Sequence, residues 1–452
     1  MTDDDQGVAG ELDRLARSAW IYGFPMVFDL EEVVRFTTEG LGALPATPFN
    51  EFGHATALAG ADDTFVSVNN DTIYSIAQLD LGGGPLLLHV PDTGGAYFVL
   101  QFVDAWTNNV AYVGRRATGT AEGTFLLTPP GWDGDGPAGA SRIPVPTRVA
   151  TIVGRWACDG EADLPRVRAL QEGLTLTPVD RDAPPPAGVP VPDPDVPDEL
   201  RFWEEMRVWM AAFPPAPDDV ARQQAFAPLG LLGAGPSPYG DGGSDLARTL
   251  VAAADGAHAE LAAALRSGAG DVVNGWQLTF HMFDYNVDFF GVGTIDSPEW
   301  RIDDRPEALR TRAAAAMAGL WGNHGYEAAY VMTYVDGDGD PLTGDHAYTL
   351  RFAPPPPVGA FWSVTMYDVP DFFLVANPID RYSIGDRTPG LVTAPDGSIT
   401  ITLSAAPPDD PQVRANWLPA PAGAFRPMLR LYTPDEAILD GRYVIPPIVR
   451  VA

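Results

Sequence analysis

Residues 68–120 read VNNDTIYSIAQLDLGGGPLLLHVPDTGGAYFVLQFVDAWTNNVAYVGRRATGT. Apolar and polar residues alternate through much of this stretch, the period of a strand with one covered face. Gly82-Gly83-Gly84-Pro85 and Pro91-Asp92-Thr93-Gly94-Gly95 cut the alternation into short pieces. The pattern predicts strands over 73–80, 86–90, 97–103 and 110–113, joined by turns. Among them stand Asn69, Asn70, Asp71, Tyr74, Asp80, Tyr97, Gln101, Asp104, Trp106, Asn108, Asn109, Tyr112, Arg115 and Arg116. Amide, carboxylate, guanidinium and aromatic groups in one run suit the wall of a polar pocket better than a sheet that meets only water.

Further strands are predicted at 64–68 on one side and at 124–127 and 149–156 on the other. Many short strands with frequent turns are the pattern of a sandwich or barrel. Upstream, Leu12, Leu15, Ala16, Ala19, Trp20 and Phe24 recur at helical spacing within residues 9–40. Gly23-Phe24-Pro25 predicts an interruption there, with a second helical piece around Glu31, Glu32 and Val33. A helix is predicted over 163–173. Residues 178–197, PVDRDAPPPAGVPVPDPDVP, are too rich in proline to fold compactly and read as an extended linker. Helices follow over 200–213, 244–266 and 307–319. The period returns to two at 328–335, 347–351, 360–367, 399–403, 428–432 and 444–445.

The fold expected is therefore mainly β with a helical middle section, two β-sandwich-like modules of jelly-roll type packed together. The expected boundaries are an N-terminal module at 1–177, a linker at 178–198, a helical region at 199–327 and a C-terminal module at 328–452.

The chain has 452 residues, a net charge of -32 and 46% hydrophobic residues. All its basic residues are Arg; it has no Lys. A negative field of this size repels phosphate backbones and anionic lipid, so neither nucleic acid nor membrane is an expected partner. The absence of Lys excludes Schiff-base, phosphate-loop and kinase-type chemistry. The lone Cys158 excludes a disulfide framework and a multi-cysteine metal site within one chain. Acidic residues at the N-terminus and no apolar run of membrane length make a cytoplasmic location the expectation.

The GLLGAG run at 230–235 lacks dinucleotide-loop spacing and reads as a turn. The DGDGD run at 336–340 begins like a calcium loop, but Pro341 and Ala347 stand where Gly and Glu are needed, so a hairpin turn is expected. His281, Asp284 and Asp288 would share a helical face, but neighbouring Asn274-Gly275 and aromatic residues favour a loop. In the central stretch, Asp71 beside Tyr74 is a candidate general acid or base. Arg115 is a candidate anion clamp. Against this, Asn-Asp-Thr is also a turn-forming run whose side chains cap backbone groups, and Arg can simply balance nearby Asp.

Several blocks resemble two families. Tyr22-Gly23-Phe24-Pro25, Asn70-Asp71-Thr72-Ile73-Tyr74-Ser75, Leu79-Asp80-Leu81, Gly114-Arg115-Arg116-Ala117-Thr118-Gly119 and Gly154-Arg155 resemble the bacterial domain of unknown function twelve-fifty-four. Phe361-Trp362-Ser363-Val364-Thr365-Met366-Tyr367-Asp368, Arg381-Tyr382-Ser383-Ile384-Gly385-Asp386, Asn416-Trp417-Leu418-Pro419 and Leu429-Arg430-Leu431-Tyr432 resemble the domain of unknown function twelve-fourteen. Asn69 stands where the first family usually has Pro. The resemblance implies two β-sandwich-like modules joined by helices, and carries no established catalytic residues.

The leading expectation is an enzyme of hydrolase or lyase type, acting on a small polar organic molecule in a cleft between modules, without a cofactor. A metal ion among so many carboxylates stays open, as does a homo-oligomer. Asp71, Tyr74 and Asp104 are the candidate catalytic residues. Asn70, Gln101, Trp106, Asn108 and Arg115 are candidate ligand contacts, closed over by Trp362, Tyr367, Arg381, Tyr382, Asn416, Trp417 and Arg430. The alternative is a non-catalytic carbohydrate or small-molecule binding protein presenting Trp106, Trp132, Trp362 and Trp417 as aromatic platforms. A structural protein would show the same residues in satisfied internal networks.

Overall fold

The computed structural model describes residues 3–63, 67–233, 235–266 and 270–451. The strand expected at 64–68 falls mostly outside the described residues, as does Ala234 of the GLLGAG run.

Helix α1 (Asp3–Thr38) is a single helix that carries Pro25 inside it, which corrects the predicted interruption. Proline removes one helical hydrogen bond. Tertiary packing offsets that loss: Ala16, Ala19, Trp20, Tyr22, Met26, Val27, Leu30 and Val33 are all buried. Gly23 permits the contact with the helical layer, since a Cβ there would sit 2.4 Å from Met206 Sδ.

The N-terminal strands are β1 (Gly40–Leu41), β2 (Leu44–Pro45), β3 (Phe52–His54), β4 (Thr72–Asp80), β5 (Leu86–Val90), β6 (Phe98–Asp104), β7 (Asn109–Gly114), β8 (Gly123–Thr128), β9 (Ser141–Pro144) and β10 (Val149–Ala157). Helix α2 (Leu164–Gly173) and β11 (Thr175–Pro178) follow. One sheet runs β3-β4-β10-β6-β7, the other β11-β5-β8-β9. They share one core: Ile73, Ala77, Leu100, Ile152 and Trp156 from the first meet Leu86, Leu88, Phe125 and Leu127 from the second.

The proline-rich stretch after β11 holds neither strand nor α-helix up to its end. It is nonetheless pinned: the Ala187 and Gly188 amides donate to Asp80 Oδ2 at 2.8 and 2.7 Å, and Trp209 Nε1 donates to Pro190 O at 2.8 Å. Helices α3 (Arg201–Ala212), α4 (Val220–Ala225), α5 (Asp245–Arg266) and α6 (Arg305–Gly319) form a layer around α1.

The C-terminal strands are β12 (Val272–Val273), β13 (Trp276–Leu278), β14 (Ala328–Met332), β15 (Tyr348–Phe352), β16 (Val358–Asp368), β17 (Ser383–Gly385), β18 (Ile399–Ser404), β19 (Trp417–Pro419), β20 (Phe425–Pro434) and β21 (Ile448–Arg450), with short α7 (Pro411–Ala415) and α8 (Glu436–Leu439). Sheets β12-β13-β14-β20-β16-β17 and β19-β18-β15-β21 enclose a second core containing Trp362, Val364, Leu429, Leu431, Ile401 and Leu403. The expected strand at 444–445 is absent; Pro446-Pro447 delays pairing to Ile448. The 336–340 run is a turn, with the Asp338 and Asp340 amides donating to Asp336 Oδ1 at 3.0 Å. Helix accounts for 28% of the chain and strand for 26%, so the mainly β expectation is corrected to a mixed architecture with two sheet pairs.

Candidate functional site

Side chains alternate across a strand, so each central sheet has two chemically different faces. In the C-terminal sheet, Val331, Leu429, Leu431, Trp362 and Val364 enter the core. The opposite face carries polar rows. Pairing aligns Tyr330 with Arg430 and Ser363, Ala328 with Tyr432 and Phe361, and Arg426 with Tyr367. The N-terminal sheet does the same. Ile73, Leu100 and Trp156 enter its core, while Arg155 is opposite Tyr74 on the other face. These two polar faces meet. Tyr97, Val99 and Tyr112 pack with Phe361, Tyr432 and Tyr326 between them.

Asp71 lies at this junction, just ahead of β4. Its Oδ1 accepts from Tyr432 Oη at 2.9 Å and its Oδ2 from Ser363 Oγ. Asn69 fixes the approach. Its Oδ1 accepts the amides of Asp71 and Thr72 at 2.6 and 3.1 Å, and its Nδ2 donates to Tyr432 Oη at 2.7 Å. The Asn69 side chain thus fixes the turn into β4. Burial pushes the Tyr432 phenol well above its ordinary range, and the Asp71 charge pushes it further. Tyr432 therefore stays protonated and donates to Asp71.

Several guanidinium groups occupy the same junction; one of them, Arg387, donates to Asp71 O at 3.0 Å and pairs with Asp159 at 2.6 Å. Arg155 donates to Gln101 Oε1 and Trp321 O at 2.8 Å each, and to Asn323 Oδ1 at 3.4 Å. Its guanidinium lies 5.4 Å from the centre of the Tyr74 ring. Asn323 Nδ2 donates to Tyr330 Oη at 3.2 Å. Arg430 donates to Thr365 Oγ1 at 2.8 Å, Tyr367 Oη at 2.7 Å and Ser67 O at 2.9 Å. Arg426 donates to Ser67 Oγ, and its Nε has no partner. Arg116 pairs with Glu327 at 2.6 Å, and Tyr97 Oη donates to the other Glu327 oxygen at 3.1 Å. Burial pushes the Glu327 carboxyl upward, and Arg116 counters it. Tyr74 and Tyr330 are only partly buried, whereas Asp71, Arg155, Asn323, Arg426, Arg430 and Tyr432 are buried.

The other sequence candidates lie elsewhere or are occupied. Asp104 Oδ1 accepts the Trp106 and Asn108 amides at 3.0 and 2.8 Å, and its Oδ2 accepts Asn108 Nδ2 at 2.9 Å. Arg312 of α6 donates to Asn108 Oδ1 at 3.1 Å. This is a loop staple beneath the helices; burial pushes the Asp104 carboxyl up to about 6 despite its donors. Arg115, offered as an anion clamp, instead donates to Gly95 O at 2.6 Å on the exposed edge. Asn70 joins Ala59 O to Ser383 Oγ. Arg381 binds the carbonyls of Ala415 and Trp417, and Asn416 binds those of Val392 and Thr400. Tyr382 reaches Asp380 at 3.4 Å.

The aromatic platform does not form. Trp106, Trp362 and Trp417 are 3%, 2% and 1% exposed. Trp132 is partly open, but Arg142 covers its ring at 4.8 Å. Sequence reading missed Arg155, Tyr330, Asn323, Glu327, Arg426, Ser363 and Tyr432 as site residues. The signal available was an Arg inside an otherwise apolar strand: VATIVGRWA carries Arg155, and FRPMLRLYTP carries Arg426 and Arg430.

A separate groove of about 1090 Å³ runs between α1, α5 and α6 and the loop at 278–282. His281 lines it, and its Nδ1 sits 2.7 Å from Asp284 Oδ2. Asp288 instead pairs with Arg305 at 2.9 Å, so the three do not converge. Among the described residues no group of three His, Cys, Asp or Glu side chains is arranged to hold a metal ion.

Residues 49–178 match the family described as "Protein of unknown function (DUF1254)", and residues 327–436 match "Protein of unknown function (DUF1214)". The two matches stand in tandem, one on each side of the helical middle. The crystal structure of the VPA0106 protein from Vibrio parahaemolyticus is similar to it, with a TM-score of 0.72 at 23% identity, covering 98% of this chain and 100% of that one. That likeness extends the shared fold of the tandem across its helical middle. An uncharacterised protein from Burkholderia cenocepacia reaches a TM-score of 0.42 at 13% identity, over 97% of this chain and 94% of that one, too slight a likeness to carry an argument. No curated protein matches the chain. No helix among the described residues is long and apolar enough to cross a membrane.

Proposed function

We propose that the tandem is a cofactor-independent enzyme of hydrolase or lyase type. It takes a small polar organic molecule between the facing sheets and acts on it by proton transfer. The observation that carries this reading is one buried junction, drawn from both modules, holding Asp71 with Arg155, Arg430 and the partly open Tyr74 and Tyr330. Unlike ionisable groups gathered in a dry space are the raw material of acid–base catalysis. Asp71 is the proton acceptor in this scheme, reached through the Tyr432 hydroxyl. Tyr74 and Tyr330 are the proton donors. Arg155 and Arg430 are the cations that hold negative charge on the bound molecule. The two sheet pairs are taken as jelly-roll-type sandwiches, a reading supported by the chain's repeated crossing between β4, β6, β7 and β10 in one sheet and β5, β8 and β9 in the other.

The test is a screen of small acids, esters, amides and sugars in D2O, following substrate loss and proton exchange by NMR. Wild type should turn over a compound that Asp71→Asn and Tyr330→Phe leave at least ~100-fold slower, the usual worth of a positioned acid or base. Turnover unchanged in both folded variants would remove the assignment. Binding without turnover would leave the non-catalytic reading of the same junction.

A further inference from the structure

Burying a charge is costly unless an opposite charge or a full set of hydrogen bonds compensates it. The junction is unbalanced by that rule. Arg116, Arg155, Arg426 and Arg430 are present, against the carboxylates of Asp71 and Glu327. Glu327 is taken by Arg116. Asp71 spends its oxygens on Tyr432 and Ser363. Among the described residues, no carboxylate lies within the 4.0 Å ion-pair distance of Arg155, Arg426 or Arg430. Their partners are neutral: amide and carbonyl oxygens, hydroxyls and the Met332 thioether. Arg426 Nε is buried without a partner. This deficit of negative charge sits in a chain whose net charge is -32. Carboxylates are abundant elsewhere in the sequence and are outnumbered by guanidiniums on this buried face.

We infer that the molecule held between the sheets is an organic anion, and that its carboxylate supplies the counter-charge for Arg155 and Arg430. The inference rests on the proposed function above and names its substrate class. Arginine suits the task because its planar fork matches a carboxylate with two parallel hydrogen bonds. Tyr74 and Tyr330, both partly buried, add hydroxyls to the same group. A neutral sugar or amide offers nothing to discharge three unpaired guanidiniums.

The experiment is a thermal-shift and calorimetric titration of the full chain with succinate and acetate, against succinamide and against NaCl at matched ionic strength. Succinate should raise the melting temperature well beyond the matched salt, with succinamide inert. Arg155→Gln should weaken succinate binding at least 10-fold. If that variant does not fold, Arg430→Met, which keeps apolar bulk, decides the point by the same 10-fold criterion. Equal stabilisation by succinamide and succinate, or by NaCl and succinate, would overturn the inference. So would unchanged succinate affinity in the folded variants. Turnover of a neutral compound without anion binding would overturn it while leaving the enzyme reading in place. Anion binding without turnover would support it and count against catalysis alone.

Discussion

Asp71→Ala is the sharpest single probe of the junction. The substitution removes the acceptor of Tyr432 Oη at 2.9 Å and of Ser363 Oγ. It also removes the carboxylate whose charge acts on Arg430. A buried hydroxyl left without an acceptor costs about 1–3 kcal/mol. Two hydroxyls, Tyr432 Oη and Ser363 Oγ, lose their acceptor, so the expected total is about 3–5 kcal/mol, the two costs partly overlapping. At about 2.1 cal/mol/K per residue, a chain of this length unfolding as one unit loses roughly 3–5 °C in melting temperature. If one module unfolds alone the shift is larger. Urea unfolding followed by circular dichroism and by tryptophan fluorescence tests whether one transition is being measured. Tyr432→Phe alone should cost about 1–2 kcal/mol, and the double variant about 1 kcal/mol less than the sum, the coupling of a direct contact. An Asp71→Ala chain within ~1 kcal/mol of wild type, or strictly additive variants, would refute the account of the junction as a coupled buried network.

Three further outcomes follow from the same geometry. Arg116→Met leaves Glu327 buried without its ion pair and should cost about 3–5 kcal/mol; adding Glu327→Gln should recover much of it, read by urea midpoint. Burial, reinforced by the neighbouring Glu31, pushes the Glu205 carboxyl up to about 8. A folded-state pKa raised above the unfolded one gives stability that is present at low pH and lost as pH rises through the folded value. Wild type should therefore lose stability between about pH 4 and pH 8 at this site, and Glu205→Gln should gain on wild type by about 2 kcal/mol or more at pH 9 relative to pH 4, measured as melting temperature against pH. Trp321 Nε1 donates to the buried Asp29 at 2.6 Å, so Trp321→Phe should cost about 1–3 kcal/mol in the same unfolding assay.

The strands were legible because their period is local. The apolar run at 86–90 is bounded by Gly84-Pro85 and Pro91, and the structure pairs the same five residues, Leu86–Val90, with burial alternating along them. Helix α1 was misread at Pro25 because the contacts that outweigh a proline lie on α3, α5 and α6, far along the chain. The candidate site divides for the same reason. Asp71, Tyr74 and Gln101 lie on the N-terminal side of the junction, Tyr367 and Arg430 on the C-terminal side. Asp104, Trp106 and Asn108, next to them in sequence, turn the corner after β6 and meet the helices instead. Which face of a strand looks at which partner is decided by packing between modules, and no local pattern records it. Asn323 and Glu327 were invisible on that account: they reach the junction from the segment between α6 and β14, where the sequence shows only a loop.

The proposal of a ligand site turns on the arginines inside β10 and β20. A sheet-to-sheet contact is most cheaply built from apolar residues, and buried ionic groups replaced by well-packed apolar ones often leave a protein as stable or more so. The same two sheets show that cheaper solution on their inner faces, where Trp156, Leu100, Leu429 and Leu431 are packed without a charge. On the facing sides the chain places Arg155, Arg426 and Arg430, and each contributes a guanidinium that the protein's own carboxylates leave unpaired. If register between the modules were the only purpose, one ion pair such as Arg116 with Glu327 would serve. Three unpaired cations exceed that need. On the anion-binding proposal the excess has its use when something of opposite charge arrives between the sheets.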